Sequence, residues 1–302
     1  MKLRLCLLIA TCLMHVGAFS MSNESSIEES DEVWTVVSGK TFEVKIYRPA
    51  GAGPFPAILD VHGGAWVVGD RTNGVLFNRA LANHGFLVAA IDFRDGPEFQ
   101  HPAASRDVAN AIRWLRLNAK RLDADVSKLG LIGSSSGGHL VLHAAVAPHE
   151  PADQTAVLFQ GKKEVADFTD TSVDISYVIA LWPVSDPFFR YRYAKRANLD
   201  RLVAAHDGYF VTEDAMREAS VTRIVASGEA STLPPTMIVQ PGEDGNVPVE
   251  MTFELLRAWQ SHGGHIEYAY YPDQPHAFGH YPSEATTAMV SAIVDFAKRQ
   301  VN

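Results

Sequence analysis

Three consecutive serines, Ser134 to Ser136, follow the apolar run LGLI at 129–132 and precede a segment with helical character. Together they give the pattern G-x-S-x-G on a strand that turns directly into a helix, the arrangement that presents a nucleophilic serine. Such a sharp turn pushes together the residues two positions before and after the serine, so both must be small. Only Ser135 has glycine at both positions, whereas Ser136 would place Ser134 at one of them. The pattern therefore predicts Ser135 as the nucleophile.

A serine hydroxyl becomes a good nucleophile only when a base removes its proton, and a histidine is the usual base. His276 and His280 follow the predicted strand at 266–270. The carboxyl ends of parallel strands meet at one edge of a sheet, so this loop is expected near Ser135. We predict His276 as the base and regard His280 as the weaker alternative.

The base needs a carboxylate that fixes its tautomer and stabilises its cation. Glu243 and Asp244 follow the strand at 236–240, and the order serine, acid, histidine along the chain is the expected one. Asp244 is preferred over Glu243 because it stands directly before the Gly245-Asn246 turn. Asp273 is a further alternative, although it precedes the histidine by only a few residues.

The loop DVHGGAWVVGDR, after the strand at 57–61, has the glycines that let a backbone approach a substrate oxygen. An acyl-transfer reaction needs such amides around the oxyanion of its tetrahedral intermediate. We predict that the amides of Gly64, Ala65 and Ser136 form this oxyanion hole. Trp66, next to it, is expected to contact the substrate.

Strands and helices alternate along most of the chain. Buried strands are predicted at 57–61, 86–91, 129–132, 177–181, 236–240 and 266–270. An antiparallel hairpin is predicted before them, at 33–37 and 41–47, after a polar stretch at 22–32 that we expect to be mobile. This alternation predicts an α/β fold with a mainly parallel sheet that is covered on both faces.

Two helices have a clear apolar face with the helical period. The first begins near Pro102, and the second ends at Gly263-Gly264. Their predicted buried residues are Val108, Ala111, Ile112 and Leu115 in the first, and Val249, Phe253, Leu256 and Trp259 in the second.

Two intervals, at 148–176 and 187–233, are too long for simple connections between strands and helices. We interpret 187–233 as a small helical cap inserted over the sheet. Its run PFFRYRYAKR contains candidate substrate-binding residues, Phe188, Arg190 and Tyr191, and Arg190 or Arg192 could meet an acidic substrate. Aromatic residues of a cap also commonly just pack it together, and the sequence leaves both interpretations open.

The first 20 residues resemble a secretory signal peptide, with Lys2 and Arg4 before an apolar stretch and small residues after it. Cleavage after Ala18 or Ser20 would give a secreted or periplasmic protein, and residues 21–302 would then form a single α/β domain with the cap inserted at about 187–233. The alternative is a cytoplasmic protein whose true start is Met21.

Charge and cysteine content exclude several classes of protein. Both cysteines, Cys6 and Cys12, lie in the predicted leader, so the mature chain would have no disulfide and no thiolate nucleophile. Without Lys2 and Arg4, 24 basic residues stand against 35 acidic ones, a balance that argues against a nucleic-acid surface. No later segment is apolar enough for a stable membrane anchor.

Several motifs of this sequence resemble a known family. They are HGGAW, IDFRDGPEFQHPAASRDVANAIRWL, GSSSGGHL, WPVSDP, DGNVP and PHAFG. They look like those of the α/β-hydrolase carboxylesterases related to hormone-sensitive lipase, especially the bacterial esterases that also resemble feruloyl esterases. The resemblance covers about residues 35 to 300. It implies an α/β-hydrolase fold with about eight strands, and Ser135, Asp244 and His276 as the catalytic triad.

The sequence departs from that family at two places. Many relatives read HGGG where this chain has alanine at position 65, although the backbone amide needed for the hole is kept. The lipase-like branch usually has a long amino-terminal cap, whereas few residues precede the predicted hairpin here. The lid function is therefore expected of the insertion at 187–233.

These residues together predict a serine carboxylic ester hydrolase that acts on small to medium esters through an acyl-serine intermediate. The alternative is an amide-bond hydrolase, arylformamidase-like or peptidase-like, that uses the same triad. No cofactor or metal is expected, because His139 and His143 have ligand-like spacing but Leu140 stands where a zinc protease needs glutamate. The expected partner is a small-molecule ester, and the sequence leaves the oligomeric state open.

Overall fold

The computed structural model describes residues 27–147, 152–165 and 167–302, so the predicted leader lies outside the described residues. The strands are β1 (Glu28–Val37), β2 (Lys40–Arg48), β3 (Phe55–Val61), β4 (Leu87–Ile91), β5 (Ala124–Ser134), β6 (Ala156–Gln160), β7 (Lys163–Val165), β8 (Tyr177–Leu181), β9 (Thr236–Glu243) and β10 (Ile266–Pro275). The helices are α1 (Val75–Asn83), α2 (Ala103–Leu122), α3 (Ser136–Val146), α4 (Pro187–Arg196), α5 (Asp200–Phe210), α6 (Glu213–Glu218), α7 (Val221–Ala226), α8 (Val249–Ser261) and α9 (Glu284–Val301), with a 3-10 turn at Phe278–His280.

All these strands belong to one sheet, in the order β10-β9-β8-β5-β3-β4-β2-β1-β6-β7. The six strands from β10 to β4 are parallel, and β2 is antiparallel to β4 and forms a hairpin with β1. The predicted mainly parallel sheet with an amino-terminal antiparallel hairpin is confirmed.

The described part of the sheet has ten strands rather than about eight. The additional pair, β6 and β7, lies in the interval 148–176 that the sequence left as a long connection. The two strands pair with each other, and β6 also pairs with β1, where Thr35 faces Leu158. A strand of five residues beside one of three has little stability alone, so contact with β1, far away in sequence, decides its structure.

The acidic residues at 28–32, expected to be mobile, are instead the first half of β1. Their backbone pairs with the end of β2, where Glu28 stands opposite Arg48. Their carboxylates face basic side chains, with Glu29 at 3.3 Å from Lys45 and Asp31 at 2.8 Å from Arg71. Ion pairs at the protein surface, here only partly exposed, add little free energy, so the backbone ladder is the main cause of the order.

Helices on both sides bury the central strands. Every residue of β4 and of β8 is buried. Successive side chains of a strand point to opposite faces, and in β8 Val178 and Ala180 join one apolar cluster while Ile179 and Leu181 join the other. The predicted buried face of α2 is found as expected, because the four apolar residues predicted for it are all buried.

The carboxyl ends of β3, β5, β9 and β10 open at the same edge of the sheet, and the loops that follow them carry the candidate functional residues. The interval interpreted as a cap holds four helices, α4 to α7, between β8 and β9. Within the described ranges, no helix combines the length and the apolar character that crossing a bilayer requires.

Candidate active site

Ser135 lies on the turn between β5 and α3 with φ +53° and ψ −116°, a backbone conformation that costs free energy for a residue with a side chain. The two flanking glycines lie against each other, since a Cβ on Gly133 would be 2.5 Å from the carbonyl oxygen of Gly137. A Cβ on Gly137 would be 2.0 Å from the carbonyl oxygen of Val61 in the neighbouring strand. The turn therefore accepts only glycine at these two positions, as predicted for the residues that flank Ser135, which is itself 7% exposed.

Ser135, His276 and Asp244 form one chain of hydrogen bonds. The Oγ of Ser135 is 3.1 Å from Nε2 of His276, and Nδ1 of His276 is 2.8 Å from Oδ2 of Asp244. In the tautomer that satisfies both contacts, Nδ1–H donates to the carboxylate, and Nε2 accepts from the serine hydroxyl. Nε2 is therefore in position to take the proton of Ser135.

Asp244 is held in a fixed orientation. Its side chain is 1% exposed, and Oδ1 accepts hydrogen bonds from the amides of Asn246 at 2.9 Å and Val247 at 2.7 Å. These bonds leave Oδ2 for the histidine. The alternative acid, Glu243, is exposed at the end of β9, and among the described residues the carboxylate hydrogen-bonded to His276 is that of Asp244.

The other predicted histidine, His280, lies beside the triad without joining the chain of hydrogen bonds. Its ring packs against Trp182 at 5.6 Å between centroids. Burial, together with the charge of His276, lowers the pKa of His280 to about 4. It is thus a neutral part of the cavity wall at neutral pH.

The loop after β3 lies against the nucleophile turn, and a Cβ on Gly63 would be 3.2 Å from Cβ of Ser135. The amides of Gly64 and Ala65 donate to no other group in the described part of the chain. Ser136 is the first residue of α3, where helix geometry gives the amide no intrahelical acceptor. All three predicted donors therefore lie beside Ser135 with amides that a ligand oxygen could use.

The backbone of this loop has two features that glycine favours. Gly64 has φ +116°, and a Cβ there would be 1.5 Å from the carbonyl oxygen of Val68, so only glycine fits. Ala65 has φ +55°, a left-handed conformation that glycine adopts freely and that costs alanine about 1 kcal/mol. The departure from HGGG thus keeps the amide and adds a small strain.

A cavity of about 760 Å³ opens over Ser135 and His276. The oxyanion loop and the cap helices α4 and α5 contribute to its wall. Trp182 also lines it, although it was not among the residues predicted from the sequence. Trp182 directly follows β8 at the carboxyl edge of the sheet, so the rule that located the triad could have identified it.

The comparison with known families identifies the chain. The BD-FAE family profile matches residues 44–259, which is more than two thirds of the sequence. The chain belongs to the BD-FAE family. The resemblance that the motifs carried, to hormone-sensitive-lipase-related and feruloyl-esterase-like enzymes, is confirmed.

Named relatives of this BD-FAE chain include esterase LipC of Mycobacterium tuberculosis, 30% identical over 227 residues that cover 71% of this chain and 51% of LipC. Ethyl acetate hydrolase of Pseudomonas putida is 37% identical over 116 residues, 37% of this chain and 36% of that enzyme. The chain therefore spans about half the length, or less, of these relatives.

Among solved structures, esterase 2 of Thermogutta terrifontis, phosphoramylated by tabun, superposes with a TM-score of 0.70. It is 22% identical, and the match covers 90% of this chain and 94% of that structure. At this identity the likeness establishes the fold alone. The BD-FAE chain has the predicted α/β-hydrolase fold.

The structure does not bring three of the four candidate pocket residues of this BD-FAE chain to the cavity wall. Trp66 is 1% exposed and lies beneath the wall, stacked on Tyr209 at 5.7 Å. Its Nε1 donates to Nδ1 of His139 at 3.2 Å. Phe188 packs under Arg217, 3.8 Å from the ring centroid to the guanidinium carbon.

The third of these, Tyr191, is buried and packs beside His206 at 5.6 Å between ring centroids. Phe188 and Tyr191 thus pack within the cap, as in the second interpretation that the sequence left open for the aromatic residues of this segment. Arg190 is the one candidate pocket residue that lines the cavity.

His139 and His143, the pair with ligand-like spacing, lie on α3. Nε2 of His139 is 2.8 Å from the carbonyl oxygen of Ala219, and its Nδ1 accepts from Trp66. Both ring nitrogens of His139 are therefore hydrogen-bonded to protein groups. Burial lowers the pKa of His143 to about 4, with the nearby His101 contributing, so its ring stays neutral at physiological pH.

Proposed function

We propose that this chain is a serine carboxylic ester hydrolase that cleaves small to medium esters through an acyl-serine intermediate. The observation that carries the proposal is the chain of hydrogen bonds from Ser135 through His276 to Asp244, which ends at a cavity large enough for a small ester. Geometry of this kind is what nucleophilic serine catalysis requires.

In the acylation step, Nε2 of His276 takes the hydroxyl proton while Oγ of Ser135 attacks the ester carbonyl carbon. Asp244 stabilises the imidazolium that results. The carbonyl oxygen becomes an oxyanion, and we assign the amides of Gly64, Ala65 and Ser136 as its donors. Loss of one such donor typically slows catalysis by about 100-fold to 1,000-fold.

The intermediate collapses when the bond from carbon to the alcohol oxygen breaks, and the leaving alcohol takes the proton from His276. A water molecule then donates its proton to His276 and attacks the acyl carbon. The carboxylic acid leaves, and the proton returns to Ser135. The cycle consumes one water per ester and needs no cofactor.

An ester substrate is favoured over an amide because the named relatives are esterases and an ethyl acetate hydrolase. Small acyl groups are favoured because the cap segment has many charged residues. Those at the cavity interrupt a wall that is otherwise mostly apolar, whereas a long acyl chain would need continuous apolar contact. Asp200 and Arg201, which line the cavity, are two of them.

The test combines active-site labelling with a substrate panel. A fluorophosphonate probe should modify Ser135, which peptide mass spectrometry identifies, and Ser135→Ala should abolish hydrolysis of p-nitrophenyl acetate. Ser134→Ala is the matched control and should retain most of the turnover. Equal losses in both variants would reassign the nucleophile.

The same panel includes an N-formyl anilide and a peptide anilide, so that amide cleavage is measured beside ester cleavage. The proposal expects a higher kcat/KM for the esters. Faster hydrolysis of either anilide would make the chain an amidase that uses the same triad.

A further inference from the structure

Arg190, on α4 of the cap, lines the same cavity as Ser135 and is 0% exposed. Its Nε lies 3.4 Å from Nε2 of His206. Among the described residues, neither of its terminal nitrogens, Nη1 and Nη2, has a hydrogen-bond partner. A buried guanidinium without a partner for its charge and its outer donors is strongly unfavourable. Its location in the cavity indicates that a ligand supplies the missing partner.

The groups around Arg190 compensate its charge only in part. The guanidinium carbon lies 4.9 Å from the centroid of the Trp66 ring, a cation–π contact. His206 is neutral, because burial, with Arg190 adding to it, lowers its pKa to about 3. Asp244 attracts Arg190 electrostatically, but its oxygens already accept from His276 and from two backbone amides.

The charge of Arg190 persists at neutral pH. Burial lowers its pKa to about 9, and the attraction of Asp244 works against that decrease. At pH 7 the side chain is therefore still a cation. A carboxylate is the group that fits it best, because two oxygens can accept from the two terminal nitrogens at once.

We propose that Arg190 binds a carboxylate carried by the ester substrate, so that the enzyme prefers anionic esters over neutral ones of the same size. This inference rests on the proposed function and names a substrate class for that site. The terminal nitrogens are covered in the free protein, so pairing requires the guanidinium to turn towards the cavity that it lines. Arg201 adds a second cation at the cavity, beside the opposing charge of Asp200.

The carboxylate can be on either side of the scissile bond, and two pairs of substrates separate these cases. The alcohol-side pair is 4-acetoxybenzoate and its neutral analogue 4-acetoxybenzamide. The acyl-side pair is the mono-p-nitrophenyl ester of adipic acid and the analogue whose carboxylate is replaced by a carboxamide. The measurement is the ratio of kcat/KM for the anionic and the neutral member, after subtraction of spontaneous hydrolysis.

In the wild-type protein the ratio should be at least about tenfold in one pair, as a charged hydrogen-bonded pair typically provides. Arg190→Met should bring that ratio close to one, and Arg190→Lys should retain part of it. Arg192→Met is the matched control, because Arg192 is an exposed residue of the same helix that does not line the cavity. It should keep the wild-type ratio.

Two results would overturn the inference: a wild-type ratio of one or less in both pairs, or an undiminished ratio in folded Arg190→Met. If circular dichroism shows that Arg190→Met does not fold, competition in the wild-type protein replaces it. Benzoate or adipate should then inhibit more strongly than benzamide or adipamide, and the reverse order would refute the inference.

Failure of the proposed function has a different signature. Hydrolysis of neutral esters with no preference for anionic ones removes this inference alone. Absence of turnover for every ester in the wild-type protein removes the proposed function and this inference with it.

Discussion

Asp60 is a buried carboxylic acid in β3, two residues before the oxyanion loop, and is 2% exposed. Nδ2 of Asn78 donates to its Oδ2 at 2.6 Å, whereas Oδ1 has no partner among the described residues. Burial raises the pKa of Asp60 to about 7, although the hydrogen bond from Asn78 works in the opposite direction. The carboxyl group therefore keeps its proton in the folded protein over a pH range in which the unfolded chain loses it.

The sign and the size of the pH effect on stability follow from the pKa of Asp60 in the folded and in the unfolded protein. The pKa is about 7 in the folded protein and 3.8 for an unperturbed aspartate, as in the unfolded chain, a difference of about 3 pH units. Each unit corresponds to about 1.4 kcal/mol, so Asp60 contributes about 4 kcal/mol to the free energy of unfolding below pH 4. That contribution decreases as the pH rises from 4 and is absent above pH 7.

The assay is urea unfolding of the wild-type protein and of Asp60→Asn at several pH values between 4 and 8. The difference in free energy of unfolding isolates Asp60, because the other titrating groups are common to both proteins. It should change by about 4 kcal/mol in favour of Asp60→Asn as the pH rises.

Asn78→Ala gives an independent check, because it removes the bond that lowers the pKa of Asp60. The pH at which the contribution disappears should then move upward. A difference between wild type and Asp60→Asn that stays constant from pH 4 to 8 would show that Asp60 ionises alike in both states, and the reasoning would be refuted.

Three other predictions concern the site and the leader. Asp244→Asn should reduce kcat severely and Glu243→Gln only mildly, because Asp244 is the carboxylate that is hydrogen-bonded to His276; steady-state rates in the reverse order would reassign the acid. Efficiency on p-nitrophenyl esters should decrease beyond about hexanoyl, because the charged cap residues interrupt the apolar wall of the cavity and added CH₂ groups, each worth up to about 0.8 kcal/mol when buried, are then not fully buried; kcat/KM that still rises past dodecanoyl would contradict this. Amino-terminal sequencing of protein made in its own host should find a start near Phe19 or Met21, and an intact leader on soluble protein would contradict export.

The sequence was sufficient for the parts of the fold that follow from local rules. Long apolar runs separated by helical segments predict a parallel sheet, and such a sheet brings the loops after its strands to one edge. The residues of the predicted triad, although Ser135 and His276 are far apart along the chain, could therefore be placed together from the sequence alone. Glycines on both sides of Ser135 selected one serine of three, because the steric requirement of the turn is also local.

Other features depended on contacts between distant residues. The helix α8 could bury either of two apolar stripes, and the sequence favoured the one with Phe253 and Leu256. The structure buries Met251, Leu255 and Ala258 instead and leaves Phe253 exposed. Trp259 belongs to both stripes and therefore does not select one of them. The neighbouring helix and the sheet set the rotation of α8. Strands β6 and β7 similarly exist because β1 pairs with β6.

The cavity wall is a further feature that contacts between distant residues determine. The sequence identified the aromatic and basic residues of the cap but not which of them face a ligand. The tertiary structure places Trp66 beneath the wall and leaves Arg190 at the wall, with its terminal nitrogens unpaired among the described residues. Burial and pairing of a side chain depend on all the elements packed around it, whereas the sequence near that residue specifies only its own helix.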